Sequence, residues 1–222
     1  MLRRHDLLRA DPAAWDAMLR RHPGIADLPL VAEWARLDRP VIVRRRMVGD
    51  FADGVPAALP LPPCHGKRRL AFSFSSDAAI TGLPPVLLRD AARTAPAEWR
   101  AVIAALLDFG DAIKVTPRVF GALLWQYTTG LPYLSAQSDL DLLWPISDER
   151  TALSLVEKLL RLDAESPVRL DGELELPDGA GVNWRELAQN RLDPSDELLV
   201  KTMEGVEVRT RAALFRTLVS PL

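Results

Sequence analysis

Ser138-Asp139-Leu140-Asp141-Leu142-Leu143-Trp144 sets two carboxylates two residues apart inside an apolar run. The run reads as a buried strand, in which alternate side chains point the same way. Asp139 and Asp141 then share one face, roughly 6.5–7 Å apart along the chain, while Leu140, Leu142 and Trp144 take the other. Two ionised carboxylates on a mostly buried strand repel each other and lose hydration. A divalent cation between them removes that conflict. Oxygen donors of this kind suit Mg2+, which completes its shell with water and substrate phosphates. Asp-x-Asp also occurs as a pair of solvated turn residues, so the flanking sequence has to decide between the two readings.

Upstream, Val119-Phe120 reads as a short strand, Gly121 as a turn, and Ala122-Leu123-Leu124-Trp125-Gln126-Tyr127 as a helix. Gly130 and Pro132 supply its stop. Downstream, Val168 to Leu176 alternates: Val168, Leu170, Leu174 and Leu176 fall on one face, and Arg169, Asp171, Glu173 and Glu175 on the other. This is a half-buried strand signal, which an ordinary solvated sheet face would also give. If that face lines the same cleft as Asp139 and Asp141, a third carboxylate comes from Asp171 or Glu173. Asp171 is preferred, because Gly172 beside it allows a close approach of backbone or ligand.

Strand, glycine turn, helix and acidic strand together resemble the nucleotidyltransferase fold. In that superfamily the glycine turn approaches substrate phosphates, the Asp-x-Asp strand binds metal, and a following strand adds a third carboxylate. The small hydroxyl residue usual beside the glycine is Ala122 here. Backbone amides at the helix start could still serve an anion.

The expected fold class is therefore α+β. A small basic N-terminal α/β domain, residues 1–80, precedes a nucleotidyltransferase-like domain, 81–222, with a mixed sheet flanked by helices. Residues 1–70 hold thirteen Lys or Arg against eight Asp or Glu, whereas 71–222 hold fifteen against twenty-two. A basic half joined to an acidic half bearing a metal site suits an anionic substrate. Within the first part, helices are expected from Pro12 to about Arg21 and around Leu30 to Leu37. Val41 to Arg46 reads as a strand, Pro56 to Pro63 as a proline-rich connection, and Gly66 to Phe74 as a strand entered through a basic turn. The second part opens with a helix from Pro96 to Phe109, capped by Gly110, with Trp99, Val102, Ile103 and Leu106 as core. A helix over 149–162, a short helix over 183–189, a hairpin over 198–209 and a last helix over 211–219 complete the reading.

Arg44-Arg45-Arg46 and Lys67-Arg68-Arg69 are surface charge or phosphate contacts, since guanidinium forks match phosphate oxygens. The clusters are short and lack stacking aromatics, so nucleic acid is not the expected partner. No apolar run approaches the roughly 20 residues needed to cross a bilayer, so no membrane association is expected. The start, Met1-Leu2-Arg3-Arg4-His5-Asp6, lacks the apolar core of a secretory signal. The single cysteine, Cys64, excludes an internal disulfide and a multi-cysteine zinc site. A cytoplasmic location is expected.

Several segments together resemble a specific family. Arg4 to Leu8, Val41 to Arg45, Gly66 to Arg69, Gly121 to Gln126, and Leu134 to Trp144 are similar to malonate decarboxylase holo-acyl-carrier-protein synthase, also called phosphoribosyl-dephospho-coenzyme A transferase. Asp171-Gly172-Glu173 and Leu199 to Thr202 fit the same likeness. The resemblance implies transfer of the phosphoribosyl-dephospho-CoA group from triphosphoribosyl-dephospho-CoA to a serine of the acyl-carrier subunit of malonate decarboxylase, with release of pyrophosphate. It carries over Asp139 and Asp141 as the essential carboxylates. Asp171 is inferred to complete the catalytic and Mg2+-binding set. Gly121, Ser138, Arg44, Arg46, Lys67, Arg68 and Lys201 are the inferred substrate contacts. An ATP-type nucleotidyltransferase acting on another protein or small molecule, and a non-catalytic nucleotide-binding module, are the alternatives.

Overall fold

The computed structural model of the chain describes residues 2–189 and 193–219. Two compact units form. The first comprises Met1–Pro85 with Thr128–Tyr133 and Met203–Gly205, and the second comprises Val86–Tyr127, Leu134–Thr202 and Val206–Leu222. No described helix is long and apolar enough to cross a membrane.

The first unit is built on a five-stranded antiparallel sheet. Its strands are β1 (Leu7–Ala10), β2 (Val41–Val43), β3 (Val55–Pro60), β4 (Arg69–Phe74) and β5 (Ile80–Leu83), in spatial order β4-β3-β2-β1-β5. Helix α1 (Pro12–Arg21) starts where the Asp11 side chain accepts from Ala13 N at 2.8 Å, satisfying an otherwise unpaired first-turn donor. Its buried Trp15 meets Phe72 of β4 edge-on at 5.5 Å, and the Trp15 indole donates to Val31 O.

Two expectations for this unit fail for local reasons. The helix expected over 30–37 is a series of turns, after a four-residue helix α2 (Pro23–Ala26). Val31, Trp34 and Ala35 are still buried as that periodicity demanded, but bonds such as Val31 N to Leu28 O and Trp34 N to Val31 O span three residues. Pro56 to Pro63, expected as a connection, contains interior strand β3. Pro56 and Pro60 are accommodated because β2 is so short. Ala58 pairs with Ile42 and Ala57 with Val43, so both prolines face positions beyond the ends of β2, where no ladder donor is required. Strand β5, past the expected boundary at residue 80, pairs with β1 and carries this unit to Pro85.

The second unit carries a six-stranded mixed sheet in the order β11-β10-β9-β8-β7-β6. Helices α3 (Leu88–Ala91) and α4 (Arg100–Ile113) come first, then β6 (Arg118–Val119), α5 (Gly121–Thr129), β7 (Leu140–Pro145), α6 (Glu149–Glu165) and β8 (Leu170–Glu175). Next follow β9 (Gly181–Asn183), α7 (Trp184–Gln189), β10 (Glu197–Lys201), β11 (Val206–Thr210) and α8 (Arg211–Val219). Strands β7 and β8 run parallel, joined through α6, and the other pairs are antiparallel. The observed class is α+β. Helix α4 does not stop at Gly110 but runs to Ile113, with Lys114 in the left-handed conformation closing it. Gly110 has a packing role instead: a Cβ there would stand 2.7 Å from Val115 O and 3.1 Å from Pro117.

Leu140, Leu142 and Trp144 of β7, with Leu170 and Leu174 of β8, are almost fully buried on one face of this sheet. Helices α6 and α7 pack on β8 and α4 packs on α6. Each such Leu contributes about 1.5–3 kcal/mol relative to exposure. This burial fixes the register, because a one-residue slip would turn every apolar side chain outward.

Candidate active site

The same register sends the carboxylates to the opposite face. Asp141 pairs with Asp171 across the parallel β7–β8 ladder, and Leu143 pairs with Glu173. Neighbouring strands lie about 4.8 Å apart, so Asp141 and Asp171 stand side by side. Asp139 sits one residue before β7, half-buried, and Leu140 N donates to Arg169 O just beyond the ladder. Close approach of the two strands at this point depends on Gly172. Its φ of +144° is open to glycine, and a Cβ there would lie 1.9 Å from Leu142 O.

Gly121 opens α5 with φ +64°, and its missing side chain makes room for Asp141. A Cβ on Gly121 would lie 1.9 Å from Asp141 Oδ2 and 2.6 Å from its Cγ. The Asp141 carboxylate therefore abuts the first residue of a helix, where unpaired backbone N–H groups and the helix dipole favour negative charge. Phe120 N, one residue earlier, donates to Asp141 O and ties the turn to the strand.

Asp171 is held differently. Its Oδ1 accepts from Gly172 N at 2.7 Å and from Asn183 Nδ2 at 3.0 Å. Its Oδ2 faces the Arg169 guanidinium at 3.8 Å, and Asp139 Oδ2 faces the same guanidinium at 3.6 Å. The two glutamates further along β8 are already neutralised. Glu173, 4% exposed, pairs with Lys201 at 2.7 Å, and Glu175, 7% exposed, pairs with Arg118 at 2.9 Å.

Ser138 lies in the turn leading to Asp139, where its hydroxyl accepts from Ser135 N at 2.9 Å. Gly121, Asp139, Asp141 and Asp171 thus come together on one sheet face. Lys201 lies along the same face on β10, committed to Glu173. Arg169 and Asn183 are additions that the spacing alone did not single out. Arg169 was legible as a member of the polar face of β8, and Asn183 only as the cap of α7, a role it also fills by accepting from Arg185 N.

The basic residues of the first unit divide sharply. Arg44 does not serve as a phosphate contact in this arrangement. Its Nε donates to Ala57 O, Nη1 to Arg45 O and Asp50, and Nη2 to Asp50 and Phe72 O. Those bonds use all five guanidinium hydrogens. Arg44, with help from Ser73 and Met47 N, holds the Asp50 carboxyl well below the usual carboxylate range. Arg46 donates to Phe51 O through its guanidinium and to Met203 O through its backbone N–H. Lys67 and Arg68 follow the left-handed Gly66 and are exposed, with no side-chain hydrogen bond or ion pair among the described residues.

The oxygen-only donor set and the guanidinium already drawn to it fit a hard divalent cation. Among the described residues no three or more His, Cys, Asp or Glu side chains converge on a ready-made ion site. Mg2+ is usually held through one or two carboxylates plus water and substrate phosphates. The acidic patch fits that mode of binding and does not form a closed cage.

Comparison with known proteins gives the lineage. Residues 3–85 match the family described as phosphoribosyl-dephospho-CoA transferase MdcG N-terminal domain, and 87–212 match the corresponding C-terminal domain. A phosphoribosyl-dephospho-CoA transferase of Bradyrhizobium diazoefficiens is 38% identical over 94% of this chain and 90% of its own length. One from Xanthomonas euvesicatoria pv. vesicatoria is 38% identical over 97% of each. One from Xanthomonas campestris pv. campestris is 37% identical over 84% of this chain and 86% of its own. No solved structure matches the chain. Both halves of the chain thus align with one lineage, and the protein belongs to the phosphoribosyl-dephospho-CoA transferase family.

Proposed function

We propose that this protein transfers the phosphoribosyl-dephospho-CoA group from triphosphoribosyl-dephospho-CoA to a serine of the acyl-carrier subunit of malonate decarboxylase, releasing pyrophosphate. The transferase activity is supported by the name shared by its relatives. The observation that carries the chemistry is the in-register pairing of Asp141 with Asp171, beside Asp139, on one sheet face.

In this reaction the serine oxygen forms a bond to the phosphorus nearest the ribose, and the bond from that phosphorus to the departing pyrophosphate breaks. The serine proton passes to a carboxylate and then to solvent. Asp171 suits that role, because Gly172 N and Asn183 fix its orientation and leave Oδ2 outward. Asp139 and Asp141 would hold Mg2+, and Asp171 would either bind a second ion or take the serine proton. Bound there, the ion would polarise the phosphate and stabilise charge on the leaving oxygens. The start of α5 supports negative charge through its backbone N–H groups. In the basic first unit, Lys67 and Arg68 are exposed and are proposed to contact the substrate's phosphates.

The test incubates the protein with triphosphoribosyl-dephospho-CoA, Mg2+ and the apo carrier subunit, and weighs the carrier intact. A gain equal to phosphoribosyl-dephospho-CoA is expected. A gain equal to a nucleotide from ATP would point to a different transferase. Asp139→Asn and Asp141→Asn should fold as the parent does and lose transfer by orders of magnitude. Parental turnover by either variant removes the assignment.

A further inference from the structure

Arg169 occupies a position that the transfer chemistry leaves unexplained. It is the residue before β8, and its carbonyl accepts from Leu140 N, so its backbone is tied to the acidic strand. Its guanidinium lies 3.6 Å from Asp139 Oδ2 and 3.8 Å from Asp171 Oδ2. Both distances exceed the hydrogen-bond range, so charge holds the group there and directed bonds do not. The side chain is 58% exposed, against 33% for Asp139 and 24% for Asp171. It is a long, solvated arm anchored at its root and resting across two carboxylates.

The other cations of this sheet face differ. Lys201 lies 2.7 Å from Glu173 and Arg118 2.9 Å from Glu175, each against a carboxylate that is buried and cannot do without it. Among the ion pairs of the described residues, Arg169 is the cation that spans two members of the candidate metal set. A metal ion bound by Asp139 or Asp171 would repel the guanidinium. A triphosphate brought to the same place would offer it oxygens with matching fork geometry.

Resting on the site proposed above, we infer that Arg169 is a built-in counter-cation. It neutralises Asp139 and Asp171 while the site is empty and exchanges them for the substrate's phosphates when the site is loaded. Its presence makes bare metal bind weakly and metal with polyphosphate bind well, so the site fills in a coupled way.

The experiment measures Mn2+ binding by electron paramagnetic resonance, with and without inorganic tripolyphosphate, on the full chain, Arg169→Ala, Arg169→Lys and Asp141→Asn. Removing a screened charge about 4 Å from the carboxylates should tighten bare Mn2+ binding by roughly three- to tenfold in Arg169→Ala. The same variant should bind tripolyphosphate with Mn2+ more weakly than the parent by a similar factor, and Arg169→Lys should recover part of both effects. Asp141→Asn should abolish Mn2+ binding in either condition. If Arg169→Ala leaves bare Mn2+ affinity unchanged or lowers it while Asp141→Asn abolishes binding, the exchange is overturned and the carboxylate site stands. If neither the parent nor Arg169→Ala binds Mn2+ in any condition, both the exchange and the metal site fall.

Discussion

Gly121→Ala probes the contact between the start of α5 and the acidic strand. Two effects combine. A left-handed φ of +64° costs an alanine about 1–2 kcal/mol relative to glycine. The new methyl would also sit 1.9 Å from Asp141 Oδ2, 2.6 Å from Cγ and 3.0 Å from Cβ. Relief requires the carboxylate to move by more than about 1 Å, or the helix start to shift with it, for a further cost of about 1–3 kcal/mol. The sum is about 2–5 kcal/mol, to be read from urea unfolding. On the proposed role of Asp141 as a metal ligand, displacement on this scale should also lower transfer by about 100-fold or more. The control is the same substitution in an Asp141→Ala background, where the carboxylate is gone. There Gly121→Ala should cost the backbone part, about 1–2 kcal/mol, plus a small adjustment to the remaining Cβ at 3.0 Å, and the difference between backgrounds is the coupling energy to the carboxylate. An equal cost in both backgrounds would show that methyl and carboxylate never meet, and the geometry assigned to Asp141 would fail.

Arg44→Met should destabilise the first unit by about 3–5 kcal/mol in urea unfolding, because it strands the Asp50 carboxylate, whose side chain is only 9% exposed. The same pair sets an acid limb. Asp50 titrates lower folded than unfolded, so its stabilisation is complete above the unfolded carboxylate value of about 3.9 and is lost as pH falls below it. Asp50→Asn should flatten that limb in stability measured from pH 6 to 2. Lys201→Met should cost about 2 kcal/mol, less than a fully buried pair because Lys201 is 39% exposed, and Glu173→Gln on top should restore part of it. Unchanged stability of Lys201→Met would show that its pair with Glu173 does not hold the fold.

How far the sequence could be read depended on which force set each element. The period-two pattern of β7 and β8 was legible because a buried apolar face specifies register by itself, and that register gave the shared face of Asp139, Asp141 and Asp171. The helices over 12–21 and 211–219 were legible from the Asp11 cap of the first and from the packing residues Leu214, Phe215 and Leu218 of the second. The reading of β3 failed because two prolines argue against an interior strand. Only the three-residue length of its neighbour β2 makes them harmless, and that is a property of another segment. The role of Gly110 was misjudged on similar grounds: a glycine near a helix end resembles a stop, and the crowding by Val115 and Pro117 is visible only in three dimensions. Arg44 looked like one of three equivalent arginines. Its commitment to Asp50, six residues away, and to Phe72 O follows from the folding of the loop between them.

The distribution of counter-charges argues for where chemistry happens on the acidic face. Along β7 and β8 its carboxylates are Asp139, Asp141, Asp171, Glu173 and Glu175, and they are stabilised in different ways. Glu173 and Glu175 are nearly inaccessible, and each has a cation within 3 Å. With the carboxylate buried and its cation partly exposed, neither glutamate can take up another ligand without breaking its pair. Asp141 abuts the start of α5 at Gly121, where the helix dipole favours negative charge. Asp171 has one oxygen bound by neutral donors, and Asp139 and Asp171 share an arginine held only loosely. Asp139 and Asp171, partly exposed, are therefore paired only across the longer distances to Arg169, 3.6 and 3.8 Å. That contrast separates Asp139 and Asp171 from the two glutamates without appeal to any relative, and it accords with the cation-dependent phosphate site proposed above.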